Sequence, residues 1–318
     1  MNGSSEIRLA MLGMIEGNGH PYSWSAIVNG YRPELMAACP YPGIVTYLGK
    51  QPLETVRIPG ARVTHIWTDN PEDAPKVAAA SRIENVVAHP EDVIGKVDAV
   101  ILATDDGNDH VRRAAPFVKA GLPLLVDKPL AINMADLRQF AFWQKSGHVI
   151  LSASGMRYAP EIAAIKECSA EIGEPRWVTS ITSKTWERYG IHALEPVYVE
   201  LGPGFLSVQT LSQPGSDIVH LTHRSGVQVS VAAIHDAYGS FGNIHVYGTN
   251  GQLALTLKDT YTAFRNQLLA FSHMLKTGSP PFPFEHTIEL MSVLIAGIRS
   301  RQQNRVVLVE EIRAEIDR

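Results

Sequence analysis

Cysteine is scarce in this chain, with only Cys39 and Cys168 among 318 residues. They are far apart and form no Cys-x-x-Cys pair, which argues against a disulfide framework or a structural zinc site. Charge of one sign is also lacking, since the formal net charge is −4 and no run of like charges occurs. This balance gives no electrostatic footprint for nucleic acid or an anionic membrane. We therefore expect a reducing, cytoplasmic location and small molecules or further copies of the chain as partners.

Long hydrophobic runs are absent as well. The first segment, MNGSSEIRLAMLG, begins polar and has only a few apolar residues before Gly13, too few for a signal peptide or a membrane span. The length and the 45% hydrophobic content are sufficient for two hydrophobic cores. These properties predict a two-domain protein.

In the first half, short apolar segments alternate with helical patterns, which is typical of βαβ units and a mainly parallel sheet. The predicted strands lie at IRLAML, RVTHIW, NVVA, DAVILAT, LPLLVD and HVILSAS. The segment between Gly30 and Ala61 is dense in proline, glycine and tyrosine and fits neither pattern. We interpret it as an inserted loop, and long structured insertions are often functional.

After about residue 155 the pattern changes to period-two alternation, with Val229, Val231 and Ala233 on one face of a strand. Asn250-Gly251 lies between two such segments and predicts a hairpin. The second half is therefore predicted to be antiparallel. His220 and His223 would point to opposite faces of a strand, and no metal site is predicted.

The segment GMIEGNGH follows the first predicted strand but lacks the Gly-x-Gly-x-x-Gly spacing of a dinucleotide loop. Counted from Gly13, the second and third glycines of that pattern fall on Ile15 and Asn18. The side chain of Ile15 obstructs the approach of the backbone to a pyrophosphate, and the carboxylate of Glu16 repels phosphate.

Three interpretations of this segment stay open. Gly17 and Gly19 allow a displaced loop whose backbone amides point at an anion from the start of a helix. Alternatively, His20, Tyr22 and Trp24 contribute stacking and hydrogen bonds to a substrate pocket. In the third interpretation, His20 and Trp24 pack beneath the inserted segment.

Two further segments carry candidate chemistry. LPLLVDKPLA delivers Asp127 and Lys128 to the carboxyl end of a predicted parallel strand, where open α/β folds bind ligands. A lysine there stabilises a substrate alkoxide, or is a solvated residue at a strand end. WERYGIHALEP places His192 and Glu195 three residues apart, so that on a helix the carboxylate would orient or charge the imidazole. The competing interpretation of His192 is a partly buried histidine satisfied by a neighbour.

These segments, in their order and context, resemble the Gfo/Idh/MocA oxidoreductases, which are nicotinamide-dependent enzymes acting mostly on sugars and polyols. The resemblance continues in DAVILATDDGNDH, SGMRYAPEIAAIKECSAEIGEPRWV, HVYGTNGQL and AFSHMLKTGSPP, and so covers nearly the whole chain. It implies a doubly wound Rossmann domain over residues 1–155 and an α+β domain over residues 156–318. The second domain would carry a large open antiparallel sheet, bind substrate and mediate assembly into a homodimer or homotetramer.

The residues singled out above and the resemblance together predict roles for individual residues. The catalytic residues would be Lys128, His192 and Glu195. The cofactor contacts would be Gly13, Ile15, Glu16, Gly17, Asn18, Gly19, Asp69, Thr104, His110, Asp127 and Lys128. The substrate contacts would be His20, Lys128, Arg157, Trp186, Arg188, Tyr189 and His192.

Two positions leave alternatives open. Where the family commonly has an aspartate, this chain has Arg188, so either Glu195 supplies the negative charge or Arg188 binds an anionic substrate. Asp69 stands at the second strand end, 56 residues after Gly13 rather than about 20. An aspartate there binds the ribose hydroxyls and favours NAD over NADP, whereas the competing role is a helix N-cap.

The function expected from these residues is hydride transfer between NAD(P) and a hydroxyl of a sugar, polyol or sugar acid. A second hypothesis is a lyase or glycosidase that oxidises its substrate transiently and retains NAD. The third hypothesis, based on Ile15 and Glu16, is a non-catalytic sugar-binding relative.

Overall fold

The computed structural model describes residues 6–316, apart from the side chains at positions 166 and 169, and contains two sheets. The strands of the first sheet are Ile7–Leu12 (β1), Ala61–Trp67 (β2), Asn85–Val86 (β3), Ala99–Leu102 (β4), Leu124–Val126 (β5) and Ile150–Leu151 (β6). All pairings are parallel and the strand order is β3-β2-β1-β4-β5-β6. This is the order of a doubly wound Rossmann sheet, as predicted.

Helices cover both faces of this sheet. They are His20–Asn29 (α1), Pro33–Met36 (α2), Pro42–Gly49 (α3), Asp73–Ala80 (α4), His110–Lys119 (α5) and Met134–Lys145 (α6). The predicted inserted loop near 30–61 is thus partly helical. Pro33 and Pro42 explain this, because each occupies the first helical position, where proline has a suitable φ and no amide hydrogen to lose.

The second sheet is mixed. Its strands are Pro175–Ser183 (β7), Phe205–Gln213 (β8), Ser216–His223 (β9), Gln228–Ile234 (β10), Asn243–Gly248 (β11), Gln252–Thr256 (β12) and Val307–Leu308 (β13). The order is β12-β11-β7-β10-β9-β8-β13, and among the described strands of this second sheet only β7 and β10 pair in parallel, so the sheet is not wholly antiparallel as predicted. The predicted hairpin joins β11 to β12, and the buried face of β10 carries Val229, Val231 and Ala233 as predicted.

The remaining helices pack on one side of this second sheet and at the domain junction. They are Ala163–Glu167 (α7), Ser169–Ile172 (α8), Trp186–Leu201 (α9), Thr260–Thr277 (α10), Phe284–Gln303 (α11) and Val309–Ile316 (α12). The opposite face of the sheet leaves Trp177, Leu211 and Ile218 exposed. None of the helices within residues 6–316 is both long and apolar enough to cross a bilayer.

Helix α10 joins the first domain although it lies far along the chain. Tyr261, Leu268 and Phe271 belong to the same buried cluster as Trp24 and Ile27 of α1. The Rossmann layer is therefore completed by a helix from the second half. The division into domains at residues 155/156 stays a prediction. Residues 1–5 of the first predicted domain and residues 317–318 of the second lie outside the described residues.

Candidate functional site

A cavity of about 900 Å³ lies between the two domains, next to the carboxyl end of the first sheet. Polar side chains on its wall come from α1, from α9 and from the segments after β6 and β7. They include His20, Ser154, Lys184, Tyr189 and His192. The inserted segment supplies much of the opposite, apolar wall.

His20 is held at the cavity by the end of β5. Its Nδ1 lies 2.6 Å from Oδ2 of Asp127, and its ring stacks on Trp24 at a centroid distance of 4.4 Å. The side-chain amide of Asn18 donates from Nδ2 to the same carboxylate oxygen at 3.0 Å. Burial alone would raise the pKa of Asp127, but His20 and Lys128 outweigh it and the pKa is lowered. Asp127 therefore stays ionised and fixes the orientation of His20.

Lys128 lies behind the cavity wall. Its Nζ is 3.5 Å from Oδ2 of Asp105 and 4.9 Å from the ring centroid of Tyr189, and only 3% of its side chain is exposed. Burial opposes its charge, but Asp127 and Asp105 raise the pKa of Lys128 above its ordinary value. The lysine is thus a buried positive charge separated from the cavity by Tyr189.

His192 lines the cavity from α9, which begins after Thr185 caps the amide of Arg188. Its Nδ1 lies 2.7 Å from Oγ of Ser154. Burial, and after it the charge of Lys128, lower the pKa of His192 well below 6.5. The imidazole is therefore neutral at neutral pH and has one ring nitrogen besides the one that faces Ser154.

Glu195 does not contact His192, contrary to the prediction. The helix places both on its buried side, but Oε1 of Glu195 accepts the backbone amide of Ser154 at 3.1 Å, and Oε2 pairs with Nε of Arg157. Burial raises the pKa of Glu195. The carboxylate acts on His192 only through Ser154, whose position it fixes.

Arg188 forms an ion pair with Asp105, which follows β4. The guanidinium donates to the two carboxylate oxygens at 2.6 and 3.0 Å and to the carbonyl of Glu16 at 3.1 Å. Burial opposes the charge of Asp105, but Lys128 and Arg188 lower its pKa. The role predicted for Arg188, binding an anionic substrate, does not describe this arrangement, in which Arg188 connects α9 to the edge of the Rossmann sheet.

Besides Lys128 and Arg188, the predicted contact residues Trp186, Arg157 and His110 do not line the cavity. Trp186 is fully buried and its Nε1 donates to the carbonyl of Leu294. Arg157 pairs with Glu195 and lies over the ring of Phe282. The ring nitrogens of His110 lie 3.1 and 2.7 Å from the carbonyl oxygens of Leu130 and Thr104. The contacts observed for these three residues are with the protein interior, and Nη2 of Arg157 is buried without a hydrogen-bond partner.

The sequence analysis missed several lining residues. Lys184 has a φ of +60° and donates from Nζ to Oη of Tyr189 at 2.7 Å. Tyr41 and Tyr47 come from the inserted segment, and Phe264 comes from α10. The aromatic content of the insertion was a usable signal for the two tyrosines. Nothing in the local pattern marked Lys184 or Phe264.

The β1–α1 loop fits an anion in a displaced position. A Cβ on Gly13, whose φ is +90°, would lie 2.6 Å from Cγ2 of Thr104, so glycine is required there. Within the described residues, the amides of Ile15, Glu16 and Gly17 have no protein acceptor. Such amides in a turn suit phosphate oxygens. The loop therefore fits a dinucleotide without the usual glycine spacing.

The start of α1 is a poorer anion site than in the usual loop. The amide of His20 donates to Oδ1 of Asn18 at 2.9 Å, and Pro21 has no amide hydrogen. Two of the donors that a helix start normally offers are thus missing.

Asp69 follows β2 and lies next to the β1–α1 loop. Its Oδ2 accepts the amide of Met14 at 2.9 Å, and its Oδ1 pairs with Arg113 at 2.6 Å. The helix α4 begins at Asp73 with Glu72 as its N-cap residue, so Asp69 does not cap it. The carboxylate faces the glycine loop, where a ribose would lie.

Comparison with known proteins finds similarity to one oxidoreductase family over part of the chain. Residues 44–154 match the Gfo/Idh/MocA family model, described as an oxidoreductase family with an NAD-binding Rossmann fold. A segment of 126 residues is 36% identical to inositol 2-dehydrogenase 1 of Saccharopolyspora erythraea and covers 37% of each chain. A shorter segment is 29% identical to a putative UDP-kanosamine synthase oxidoreductase subunit of Amycolatopsis mediterranei, covering 22% of this chain and 19% of that protein. The chain thus matches about a third or less of the length of these curated relatives.

Solved structures match over nearly the full length. A probable dehydrogenase from Thermotoga maritima has a TM-score of 0.71 at 18% identity, with 96% of this chain and 100% of that chain covered. Scyllo-inositol dehydrogenase from Lactobacillus casei, solved with NAD(H) and scyllo-inositol, has a TM-score of 0.73 at 12% identity and the same coverage. These likenesses confirm the fold. The predicted resemblance to the Gfo/Idh/MocA oxidoreductases is confirmed over residues 44–154 by the match to the family model.

Proposed function

We propose that this chain, of which residues 44–154 match the Gfo/Idh/MocA family model, transfers hydride between NAD(P) and a hydroxyl-bearing carbon of a sugar, polyol or sugar acid. The observation that carries the proposal is the neutral His192, which lines the interdomain cavity and is oriented by Ser154. A base with these properties next to a Rossmann edge suits alcohol oxidation.

The side chains around the cavity have separate roles in the proposed reaction. When bound, the nicotinamide accepts hydride from the substrate carbon or returns it. His192 takes the hydroxyl proton on the ring nitrogen that does not face Ser154. Nζ of Lys128 lies 4.9 Å from the ring centroid of Tyr189, and its buried charge stabilises the developing oxyanion on the cavity side of that ring. Lys184 and Tyr189, which are hydrogen-bonded to each other, orient the substrate.

The residues that would hold the dinucleotide are the amides of residues 15–17 for the phosphates and Asp69 for a ribose. Asp69 favours NAD, because its carboxylate repels a 2′-phosphate. Its ion pair with Arg113 weakens that repulsion, since an arginine at this place also attracts the phosphate. We propose NAD as the preferred cofactor, with NADP binding more weakly.

The test is a titration of cofactor-stripped protein with NADH and NADPH, followed by nicotinamide fluorescence and by an assay for NADH formation with sugars and polyols. The proposal predicts saturable NADH binding and NADH formation that is lost in His192→Gln while binding is retained. Binding of neither nucleotide by folded protein would contradict it.

A second candidate function is sugar binding without a cofactor. The capped amide of His20 and the missing amide hydrogen of Pro21 favour it, since both weaken the usual phosphate site. In that case a sugar or polyol binds with micromolar to millimolar affinity in the absence of either nucleotide, and added NADH leaves that affinity unchanged.

We further propose that the chain forms a homodimer or homotetramer through the open face of the second sheet. Trp177, Leu211 and Ile218 expose apolar surface there, which a partner copy would bury. Light scattering on the purified protein measures the assembly mass directly.

A further inference from the structure

The interdomain cavity has a second wall that a bare sugar or polyol does not require. This wall, called the aromatic wall here, consists of Tyr41, Ile44, Tyr47 and Phe264. Three of the four residues come from the inserted segment, within or next to α3. The insertion therefore shapes the substrate cavity.

The aromatic wall is fixed in place by close packing. A Cβ on Gly19 would lie 2.5 Å from Cδ2 of Tyr41 and 2.6 Å from Cδ1 of Ile44, so these side chains rest directly on the residue before His20. Oη of Tyr47 donates to Oγ of Ser23, and its ring meets that of Phe264 edge to face at 6.4 Å. The aromatic wall is therefore a preformed apolar surface, and it adjoins the polar part of the cavity that His20 and His192 line.

The size of the cavity exceeds the needs of one sugar ring. Its volume of about 900 Å³ lies near the upper end of the range of about 300–1,000 Å³ for sites that enclose drug-sized ligands. Of the loop residues 13–19, Gly19 alone borders the cavity, so the phosphates and adenosine of the cofactor lie outside it and the nicotinamide enters only at the polar end beside His192. The extra volume lies against the aromatic wall.

The chemistry of the wall selects its occupant. Sugar hydroxyls placed against Ile44 and Phe264 would lose their hydrogen bonds to water without replacement, which disfavours a free polyol there. An aromatic group placed there buries apolar surface and meets the rings of Tyr41 and Tyr47 favourably. Lys184 is the cation of the described lining and no carboxylate lines it, so a positively charged substituent is disfavoured.

We propose that the substrate is a sugar that carries an aromatic substituent, such as an aryl glycoside, with the sugar ring at His192 and the aryl group on the aromatic wall. This inference rests on the proposed function. A CH–OH carbon of the sugar ring is oxidised to a carbonyl as hydride passes to the nicotinamide and the hydroxyl proton to His192. The aryl group and its bond to the sugar are unchanged.

The test is calorimetric titration of the NADH-loaded full-length protein with phenyl and methyl glycosides of glucose, galactose and mannose, and with myo-inositol. Burial of the phenyl ring predicts at least about tenfold tighter binding of one phenyl glycoside than of its methyl counterpart. In Tyr41→Ala that ratio falls towards one. The matched control is Leu53→Ala, an exposed residue of the same insertion outside the cavity, which keeps the ratio.

Two outcomes overturn the inference: equal binding of the phenyl and methyl forms in all three sugars, or tighter binding of myo-inositol than of any phenyl glycoside. Turnover is measured separately, so the two proposals fail separately. Phenyl-selective binding without NADH formation overturns the proposed function and keeps only the assignment of the aromatic wall as the surface that binds the aryl group. NADH formation from sugars without phenyl selectivity keeps the function and overturns the inference.

Discussion

Arg188 of the second domain makes a bidentate ion pair with Asp105 of the Rossmann domain, with Nη2 at 2.6 Å from Oδ1 and Nε at 3.0 Å from Oδ2. Asp105 is only 2% exposed, and Lys128 is its other cation. The pair joins the domains at the edge of the site. A charge that is buried in this way is stabilised only as long as its partners remain.

The first prediction concerns this pair. Arg188→Met leaves Asp105 buried with one cation fewer, so we expect the free energy of unfolding to fall by about 1–3 kcal/mol, less than for a fully buried pair because Arg188 is partly exposed. Urea denaturation measures it. The double variant Asp105→Asn, Arg188→Met should recover part of the loss, and a purely additive double variant would contradict the coupling.

The second prediction concerns Lys128. Lys128→Met should lower kcat by about 10²–10³, because the buried charge no longer stabilises the oxyanion, while NADH binding is largely kept. The loss of this charge also removes one cause of the lowered pKa of His192, so the acid limb of the pH–rate profile should move to higher pH. An acid limb that stays in place would contradict the electrostatic effect of Lys128 on His192. Near-full activity in the variant would contradict the proposed role.

The third prediction is a pH dependence of stability. The pKa of His192 is lowered in the folded protein and returns to about 6.5 on unfolding. The unfolded chain therefore binds more protons below pH 6.5, and the stability from burying the neutral ring, complete above that pH, declines as the pH falls.

The measurement is urea denaturation of wild type and His192→Gln at several pH values from 7.5 to 5. The variant should lose less stability on acidification than wild type. His273→Gln, which changes an exposed histidine on α10, is the matched control and should follow the wild type. Parallel curves for wild type and His192→Gln would rule out the linkage.

The fourth prediction concerns cofactor choice. Arg113 neutralises Asp69 at 2.6 Å, so Arg113→Ala should free the carboxylate to repel a 2′-phosphate and should weaken NADPH binding more than NADH binding. We expect the ratio of the two dissociation constants to change by about three- to tenfold, which corresponds to roughly 1 kcal/mol. Arg62→Ala is a suitable control, because Arg62 is partly exposed and pairs with Glu84 rather than with Asp69. An unchanged ratio would show that the pair does not set specificity.

Much of the fold was predictable from local pattern. Alternating apolar segments and helical patterns predicted the Rossmann half, and period-two alternation predicted the second sheet. Both predictions were possible because an element that is buried on one face has apolar residues at regular intervals in the sequence. The parallel pairing of β7 with β10 was not predictable in this way, since a strand carries no local mark of its neighbour's direction.

The sequence by itself determined which chemical groups stand at strand ends and on α9, namely Lys128 after β5 and His192 on the helix. Only the tertiary structure decided their partners: Asp127 with His20 across 107 residues, Asp105 with Arg188 across 83, and His192 with Ser154 across 38. The physical reason is that a side chain pairs with whatever the packing of distant elements brings within about 3 Å, and this distance is not encoded in local spacing.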